Sequence, residues 1–113
     1  METELELARE HCHPLRGRQH LLPPSQALAL LAHLPGWQIA EPGVLHKEFT
    51  FTGYTAGLLF VNTVACLAER ENHHPDLEVR YGRVKVSYST HDVGGLSRND
   101  FICAAKVEAL TSI

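Results

Sequence analysis

Three histidines carry the most specific chemistry that this sequence offers. Two stand side by side in the stretch ENHHPDLEV, as His73 and His74, directly before Pro75. A third, His91, stands in the stretch SYSTHDVGG. Imidazole titrates at about pH 6.5, so at neutral pH one histidine can donate a proton while another accepts one. The three residues are therefore candidates for general acid–base catalysis.

Two other interpretations of these histidines remain open. They are polar loop residues, or they bind a metal ion, since imidazole is the commonest metal ligand in proteins. Neighbouring side chains on an extended backbone diverge, which disfavours chelation of one ion by His73 and His74. A group near the N-terminus also lacks the paired spacing of known zinc sites; its members are His11, Cys12, His13 and His20. We therefore expect no metal.

Motifs for covalent catalysis and for nucleotide binding are absent from the sequence. There is no GxSxG, and no cysteine accompanies the three histidines. There is no GxGxxG or Walker sequence either, and Gly94-Gly95 alone indicates only a turn. We therefore expect no cofactor.

A predicted β-hairpin lies between the histidines. The segments DLEVRY and RVKVSY alternate between apolar and polar residues, and Gly82 separates them. His73 and His74 precede the first strand, and His91 follows the second. Because the second strand of a hairpin folds back along the first, we expect the three imidazoles to converge at one end of the sheet.

Helices and a second pair of strands are predicted elsewhere. The spacing of Leu28, Leu31 and Ala32 predicts a helix that begins at Pro24 or Ser25. The alternating stretch VLHKEFTFTG predicts a strand, with a shorter strand from Trp37 to Ala40 before it. A long helix follows, and its predicted buried residues are Ala56, Phe60, Val64 and Leu67.

The last helix has a recognisable start. Ser97 is a good N-cap, and Asp100 stands three residues later, at the capping-box position. The predicted buried residues of this helix are Phe101, Ile102, Ala105 and Ala109.

The predicted order is helix, strand, strand, helix, strand, strand, helix. This order favours an α+β fold, in which helices pack on one face of an antiparallel four-stranded sheet. The open edges of such a sheet predict self-association, as a homodimer or homotetramer. Residues 25–113 form the predicted domain. Residues 1–24 are predicted to be an irregular, loosely ordered extension, with a short helix from Thr3 to Glu10.

Composition narrows the class of protein further. The 113 residues carry a net charge of -3, and lysine and arginine are scattered, so we expect no nucleic-acid partner and no binding to anionic membranes. No apolar run is long enough to span a bilayer. Three widely spaced cysteines are typical of free thiols in a reducing compartment. The acidic start, METELELARE, is typical of neither a signal nor a transit peptide, so we expect a cytoplasmic protein.

The histidine region resembles the signature of the pterin-4a-carbinolamine dehydratases, also called 4a-hydroxytetrahydrobiopterin dehydratases. That signature is a His-His-Pro, a hairpin, a Thr-His, a Gly-Leu-Ser/Thr and an aspartate in the last helix. The matching residues are His73-His74-Pro75, Thr90-His91, Gly95-Leu96-Ser97 and Asp100. The stretches LPGW, KEFTF and AEREN also look like the family. The resemblance covers roughly Ser25 to Leu110, and the spacing of the three motifs makes it specific.

This resemblance implies a reaction and a substrate. The family dehydrates a 4a-hydroxytetrahydropterin to the quinonoid dihydropterin. A base takes the ring N5 proton, and an acid helps hydroxide leave as water. The resemblance thus implies a pterin substrate, tetrahydropterin recycling and a functional link to an aromatic amino acid hydroxylase. By match, His73, His74 and His91 form the acid–base and binding set.

A further set of residues is implied for the substrate pocket. Its members are Trp37, Glu69, Pro75, Ser89, Thr90, Asp92 and Asp100. From the residues alone, the alternatives are core packing for Trp37, a solvated helix face for Glu69 and a helix cap for Asp100. Two positions depart from the family pattern: Asn72 stands where an aspartate is often seen, and Leu77 where some members have an aromatic residue.

The alternative to an enzyme is a protein that binds a partner without catalysis. The same fold serves as a dimerisation partner of a homeodomain transcription factor, and a degenerate relative is a Rubisco assembly factor. A protein that only binds need not keep the catalytic histidines, whereas this chain has all three. The sequence therefore favours an enzyme, with binding open as a second function.

Overall fold

A computed structural model describes residues 4–111 of the chain. Its α-helices are α1 (Glu4–Arg9), α2 (Pro24–Leu31), α3 (Tyr54–Glu71) and α4 (Arg98–Thr111). Its strands are β1 (Gln38–Ala40) and β2 (Val44–Thr50), between α2 and α3, and β3 (Asp76–Arg80) and β4 (Arg83–Tyr88), between α3 and α4. Single turns of 3-10 helix lie at Arg18–His20 and His91–Val93. From α2 onward the elements follow the predicted order, and the predicted α+β fold class is confirmed.

The four strands form one antiparallel sheet in the spatial order β1-β2-β4-β3. β3 and β4 form the predicted hairpin, with Arg80 opposite Arg83 and with Tyr81 and Gly82 in the turn. Gly82 has a φ of +71°, a conformation that glycine adopts without steric cost. At the open end of the hairpin Asp76 lies opposite Ser87. The residues before β3 and after β4 therefore reach the same end of the sheet.

One face of the sheet is buried beneath the helices. Side chains alternate between the two faces along a strand, so the buried positions recur at every second residue. The buried residues of this face are Leu45, Phe49, Val84, Val86 and Tyr88. Within residues 4–111, no helix is long and apolar enough to cross a membrane.

The predicted buried face of α3 is confirmed along most of its length. Phe60, Val64 and Leu67 lie in the core. Ala56 is exposed, and Gly57 is buried in its place. A Cβ atom on Gly57 would lie 3.5 Å from the side chain of Val84, an ordinary contact distance, so the start of the helix packs directly on the sheet.

The predicted helix is confirmed as α2, but only one residue of its apolar stripe, Leu31, packs against the core. Leu28 is 61% exposed and Ala32 is also exposed, whereas Ala27 and Leu30 lie in the core. The segment ALALLA is apolar throughout, so apolar spacing does not distinguish one face of this helix from the next. In α4 the predicted burial of Phe101, Ile102 and Ala105 is confirmed, whereas Ala109 is exposed.

The described part of the N-terminal segment, residues 4–24, makes contacts with the rest of the domain. The short helix predicted there from Thr3 to Glu10 is present as α1, which ends one residue earlier, at Arg9; Thr3 lies outside the described residues. Leu7 of α1 has no exposed surface and belongs to the core cluster around α4. Lys106 of α4 donates a hydrogen bond to the carbonyl of Ala8 at 2.8 Å. The division of the chain at residue 24 stays a prediction.

Candidate active site

The end of α3 places His73. Asn72 follows the helix with φ +51° and ψ +42°, in the left-handed conformation, and its N–H donates to the carbonyl of Ala68. The N–H of His73 donates to the same carbonyl at 3.2 Å. Asparagine adopts this conformation more readily than most residues, so Asn72 is suited to end the helix. Pro75 then disfavours a helical conformation at His74.

His73 is hydrogen bonded to a buried aspartate. Its Nε2 lies 2.7 Å from Oδ1 of Asp100, whose side chain has no exposed surface. The other oxygen, Oδ2, accepts hydrogen bonds from the Thr90 hydroxyl at 2.8 Å and from the Ser97 N–H at 2.9 Å. The contact with Ser97 is half of the predicted capping box. Asp100 therefore caps α4 and also orients His73.

This arrangement sets the tautomer of His73. An ionised carboxylate only accepts hydrogen bonds, so beside ionised Asp100 it is Nε2 that carries the proton. In the neutral imidazole the lone pair then lies on Nδ1. A histidine oriented by a carboxylate in this way is suited to accept a proton from a bound molecule.

An aromatic ring lies against the same imidazole. The rings of His73 and Tyr88 stack with centroids 5.8 Å apart and planes 8° apart. Tyr88 has no exposed surface, and burial raises the pKa of its hydroxyl far above the ordinary value. That hydroxyl has no hydrogen-bond partner within residues 4–111. Tyr88 thus remains neutral and shields one face of His73, whose side chain is only 12% exposed.

A pocket of about 370 Å³ opens beside His73. Thr90, Asp92 and Asn99 line it from the end of β4 and from α4. The other lining residues come from the N-terminal segment and from the end of α3; they are Cys12, His13, Pro14, Leu15, Arg16, Arg70, Glu71 and Asn72. Basic and acidic side chains both face this space, so it is suited to a polar ligand.

His91 lies in a neighbouring pocket of about 330 Å³. Ser89 lines the same pocket, and its hydroxyl donates to the carbonyl of Gly43 at 2.8 Å. Asp76 and Ser87, opposite each other in the hairpin, also line it. His73 and His91 therefore lie at the same end of the sheet, as predicted from the hairpin, but they line separate pockets.

Other residues proposed from the resemblance lie apart from these pockets. His74 lies on the surface, 53% exposed, with Nε2 3.2 Å from a carboxylate oxygen of Glu69 on α3. Trp37 is packed in the core, and its indole N–H donates to Glu108 at 2.8 Å. Pro75 is half-buried between α3 and β3. Trp37 therefore lies in the core and Glu69 on a solvated helix face, which are the alternatives stated above for these two residues.

Contacts between the N-terminal segment and Asn99 were not predicted from the sequence. Asn99 donates to the carbonyl of His13 at 2.7 Å and accepts from the His13 N–H at 3.2 Å. These residues are separated by 86 positions in the chain, and no motif connects them. Periodicity reports only on contacts within an element, so it carried no signal for this wall of the pocket.

Glu71 anchors the same segment at the end of α3. Its carboxylate accepts the Cys12 N–H at 2.7 Å and lies 2.9 Å from Nδ1 of His11. Burial raises the pKa of this carboxyl, but the hydrogen bonds from Cys12 and His11 and the charge of Lys106 outweigh burial, so the net pKa lies below its ordinary value. Within residues 4–111, no three histidine, cysteine or carboxylate side chains are grouped as ligands for a metal ion.

Fold and site together define an α+β protein with a carboxylate-oriented histidine at one end of its sheet. The family model of the pterin 4 alpha carbinolamine dehydratases matches residues 20–110. A Xanthomonas campestris pv. campestris protein named "Putative pterin-4-alpha-carbinolamine dehydratase" is 52% identical over 111 residues, which cover 97% of this chain and 94% of that protein. The chain therefore belongs to the pterin 4 alpha carbinolamine dehydratase family.

Two further relatives agree with this assignment. A Stenotrophomonas maltophilia protein of the same name is 51% identical over 112 residues, which cover 98% of this chain and 97% of that protein. A crystal structure of a "transcriptional coactivator/pterin dehydratase" from Brucella melitensis superposes with a TM-score of 0.75 at 30% identity. The match covers 79% of this chain and 96% of the Brucella chain.

Proposed function

We propose that this protein dehydrates a 4a-hydroxytetrahydropterin to the quinonoid dihydropterin, and so returns oxidised pterin to tetrahydropterin recycling. Membership of the family and the names of its relatives support this reaction. The observation that carries the proposal is the hydrogen bond between His73 and the buried Asp100, at the edge of a polar pocket.

The reaction needs two proton transfers. The N5–H bond breaks, its electron pair forms the new C–N double bond, and the C4a–O bond breaks as hydroxide leaves and is protonated to water. In our proposal Nδ1 of His73 takes the N5 proton, and Asp100 stabilises the imidazolium that forms. A second imidazole, from His91 or His74, donates the proton that converts the leaving hydroxide to water.

The polar residues around the two pockets are proposed to bind the pterin. Asp92 and Thr90 line the His73 pocket, and Ser89 lines the His91 pocket. A pterin ring carries several hydrogen-bond donors and acceptors along one edge, so such side chains and the backbone groups near them can orient it. Trp37 and Pro75 are proposed to support the pocket from behind, through the packing around Tyr88 and the end of α3.

A direct assay tests the proposal. A 4a-hydroxytetrahydropterin is generated chemically or by a hydroxylase, and its ultraviolet absorbance is followed with and without the protein. We expect accelerated decay in the presence of the protein. His73→Ala, His74→Ala and His91→Ala are each expected to lower turnover, by roughly 10²–10⁴-fold for an acid or base.

His33→Ala is the matched control, because His33 lies at the end of α2, away from both pockets. It is expected to leave the rate unchanged. A well-folded His73→Ala/His74→Ala double variant with full activity would count against the enzyme and favour a binding protein.

A second candidate function is binding to another protein without catalysis. The observation in its favour is the name of the Brucella relative, which joins "transcriptional coactivator" to "pterin dehydratase". The same assay separates the two candidates, since a protein that only binds leaves the decay of the carbinolamine at its spontaneous rate.

A further inference from the structure

Two cysteine thiols from distant parts of the chain are in contact beside the His73 pocket. Sγ of Cys12, in the N-terminal segment, lies 3.4 Å from Sγ of Cys103, in α4, across 91 positions of sequence. Cys103 has no exposed surface. Cys12 is half-buried and lines the pocket. The third cysteine, Cys66, is exposed on α3.

The backbone around Cys12 holds its sulfur in this position. The Cys12 N–H donates to Glu71, and the next residue, His13, exchanges two hydrogen bonds with Asn99. The thiol of Cys12 is also within hydrogen-bonding distance of the Asn99 carbonyl, at 3.7 Å. A disulfide has an S–S distance of about 2.0 Å, so a small displacement of the two side chains brings the sulfurs to bonding distance.

We propose that Cys12 and Cys103 form a reversible disulfide, with hydrogen peroxide as the oxidant, that tethers the N-terminal segment covalently to α4. This modification site is separate from the dehydration chemistry and does not depend on it. Redox-sensitive cysteines are typically accessible thiols placed next to a second, resolving cysteine, and this pair has that arrangement.

The chemistry proceeds in two balanced steps. The Cys12 thiolate, after losing its proton to solvent, attacks one oxygen of hydrogen peroxide. The O–O bond breaks, the other oxygen leaves as water after taking up a proton, and Cys12 becomes a sulfenic acid. Sγ of Cys103 then attacks Sγ of Cys12, the S–O bond breaks, and the hydroxyl leaves as water with the Cys103 proton. Overall, two thiols are oxidised by two electrons and one peroxide is reduced to two waters.

The accessibility of the two thiols determines which one reacts with peroxide and which one resolves the sulfenic acid. Cys12 borders the pocket of about 370 Å³, through which a small peroxide can reach it, whereas Cys103 is enclosed by the core. The hydrogen bond with Cys12 and burial raise the pKa of the Cys103 thiol. Cys103 therefore stays protonated and unreactive until Cys12 is oxidised, when it resolves the sulfenic acid.

The tether acts on a wall of the pocket. Residues 12–16 line the space beside His73, and they are attached to the domain through hydrogen bonds and packing alone while the thiols are reduced. The disulfide anchors this wall to the helix that carries Asp100. Hydrogen exchange across residues 11–18 is therefore expected to slow in the oxidised protein.

The test treats the purified protein with hydrogen peroxide and maps its cysteines by mass spectrometry under non-reducing conditions. We expect an intramolecular link between the peptides of Cys12 and Cys103, a loss of two of the three free thiols, and full reversal by dithiothreitol. The oxidised protein is expected to unfold at a higher temperature, by roughly 5 °C or more, because the link closes a long loop.

Variants separate the steps. In Cys103→Ala, Cys12 is expected to accumulate as a sulfenic acid that dimedone traps, and in Cys12→Ser the thiol of Cys103 is expected to stay reduced. Cys66→Ser is the control, with the link formed at an unchanged rate. Should Cys103→Ala fail to fold, the peptide map of the unmutated protein decides the matter. Oxidation of Cys12 to a sulfinic acid with Cys103 left free, or linkage through Cys66 alone, would overturn the proposal.

Discussion

At the scale of single residues, the two oxygens of Asp100 have different partners. Oδ2 accepts the N–H of Ser97 and the hydroxyl of Thr90, which stabilises the start of α4. Oδ1 is the partner of His73. A buried carboxylate therefore links the stability of a helix to the orientation of the proposed base. Substitutions at Asp100 can separate these two roles.

Asp100→Asn is expected to lower turnover by roughly tenfold or more while the protein stays folded. The amide can keep a carbonyl oxygen towards Ser97 and Thr90, and its NH₂ group then faces Nε2 of His73. Nε2 must accept that hydrogen bond, so the proton moves to Nδ1 and the proposed base is lost. ¹⁵N NMR of the histidine rings reports the tautomer, and the dehydration assay reports the rate. A normal rate with the changed tautomer would show that Nδ1 is not the base.

At the scale of elements, α1 and the segment after it are held by contacts of different kinds with α3 and α4. Leu7 supplies the buried contact. Glu10 forms an ion pair with Arg98, in which one carboxylate oxygen lies 2.8 Å from Nε and the other lies 2.6 Å from Nη2. The carboxylate of Glu71 accepts a hydrogen bond from the N–H of Cys12. The first contact is apolar, the second is an ion pair and the third is a hydrogen bond from the backbone to a carboxylate, so they can be tested separately.

Leu7→Ala is expected to lower the free energy of unfolding by roughly 2–5 kcal/mol, the usual cost of removing a fully buried leucine side chain. Leu5→Ala is the matched control on the same helix, because Leu5 is 60% exposed, and its effect is expected within about 0.5 kcal/mol. Urea denaturation measures both. Equal, small effects of the two substitutions would show that α1 does not unfold together with the domain.

Acid is expected to release the N-terminal segment before it unfolds the domain. The hydrogen bond from Arg98 lowers the pKa of Glu10. Burial raises the pKa of Glu71, but the hydrogen bonds that Glu71 accepts and the charge of Lys106 lower it by more. Both folded values thus lie below the ordinary 4.5. The two ionised carboxylates contribute their full stability above pH 4.5, and this stability is lost as the pH falls through their pKa values in the folded protein.

Hydrogen exchange of residues 4–17, compared between neutral pH and about pH 3.5, measures this release. In Glu71→Gln we expect faster exchange of the segment already at neutral pH. Glu48→Gln is the control, because Glu48 pairs with Arg83 at 3.8 Å on the surface of the sheet. Exchange that stays unchanged until the whole domain unfolds would contradict the prediction.

At the scale of the whole molecule, β3 is an edge strand, and exposed apolar side chains lie on it and in the turn that follows it. Val79 is 39% exposed and Tyr81 is 76% exposed, and the ring of Tyr81 stacks on that of Tyr54 with centroids 6.2 Å apart. An uncovered edge of this kind favours pairing with a second copy. We therefore expect self-association, with β3 at the contact.

Light scattering at micromolar concentrations is expected to give a mass above that of the 12.6 kDa chain. Val79→Lys places a charge on the edge and is expected to shift the mass towards the monomer. Gln26→Lys, on the exposed side of α2, is the control and is expected to leave the mass unchanged. A monomer mass for the unmutated protein would rule out the predicted association.

The sequence predicted the fold well where apolar periodicity had a single solution. The alternation in β4 and the spacing of Phe60, Val64 and Leu67 each specify one buried face, and both are confirmed. From Ala27 to Ala32 every position is apolar, so the buried face of α2 depends on tertiary packing and does not follow from the spacing. The packing of Leu7 was missed for a different reason, because the proline and glycine residues after α1 gave no sign of a contact between α1 and α4.

The candidate site was predicted in part, through the hairpin. Its register brings His73 and His91 to one end of the sheet, as the alternation had indicated. The contact of His73 with Asp100 spans 27 positions, and the wall formed by Cys12 and His13 lies further still along the chain. Such contacts depend on how α4 packs, which neither spacing nor composition reports.

The cap of α4 determines how the orientation of His73 responds to rising temperature. The first turn of a helix frays more readily than its middle, and here that turn carries the carboxylate that orients His73. When Ser97 and Asp100 part on warming, the imidazole is released to rotate even though the core around Phe101 and Val86 is intact. The proposed catalysis is therefore expected to decline at a lower temperature than the melting transition.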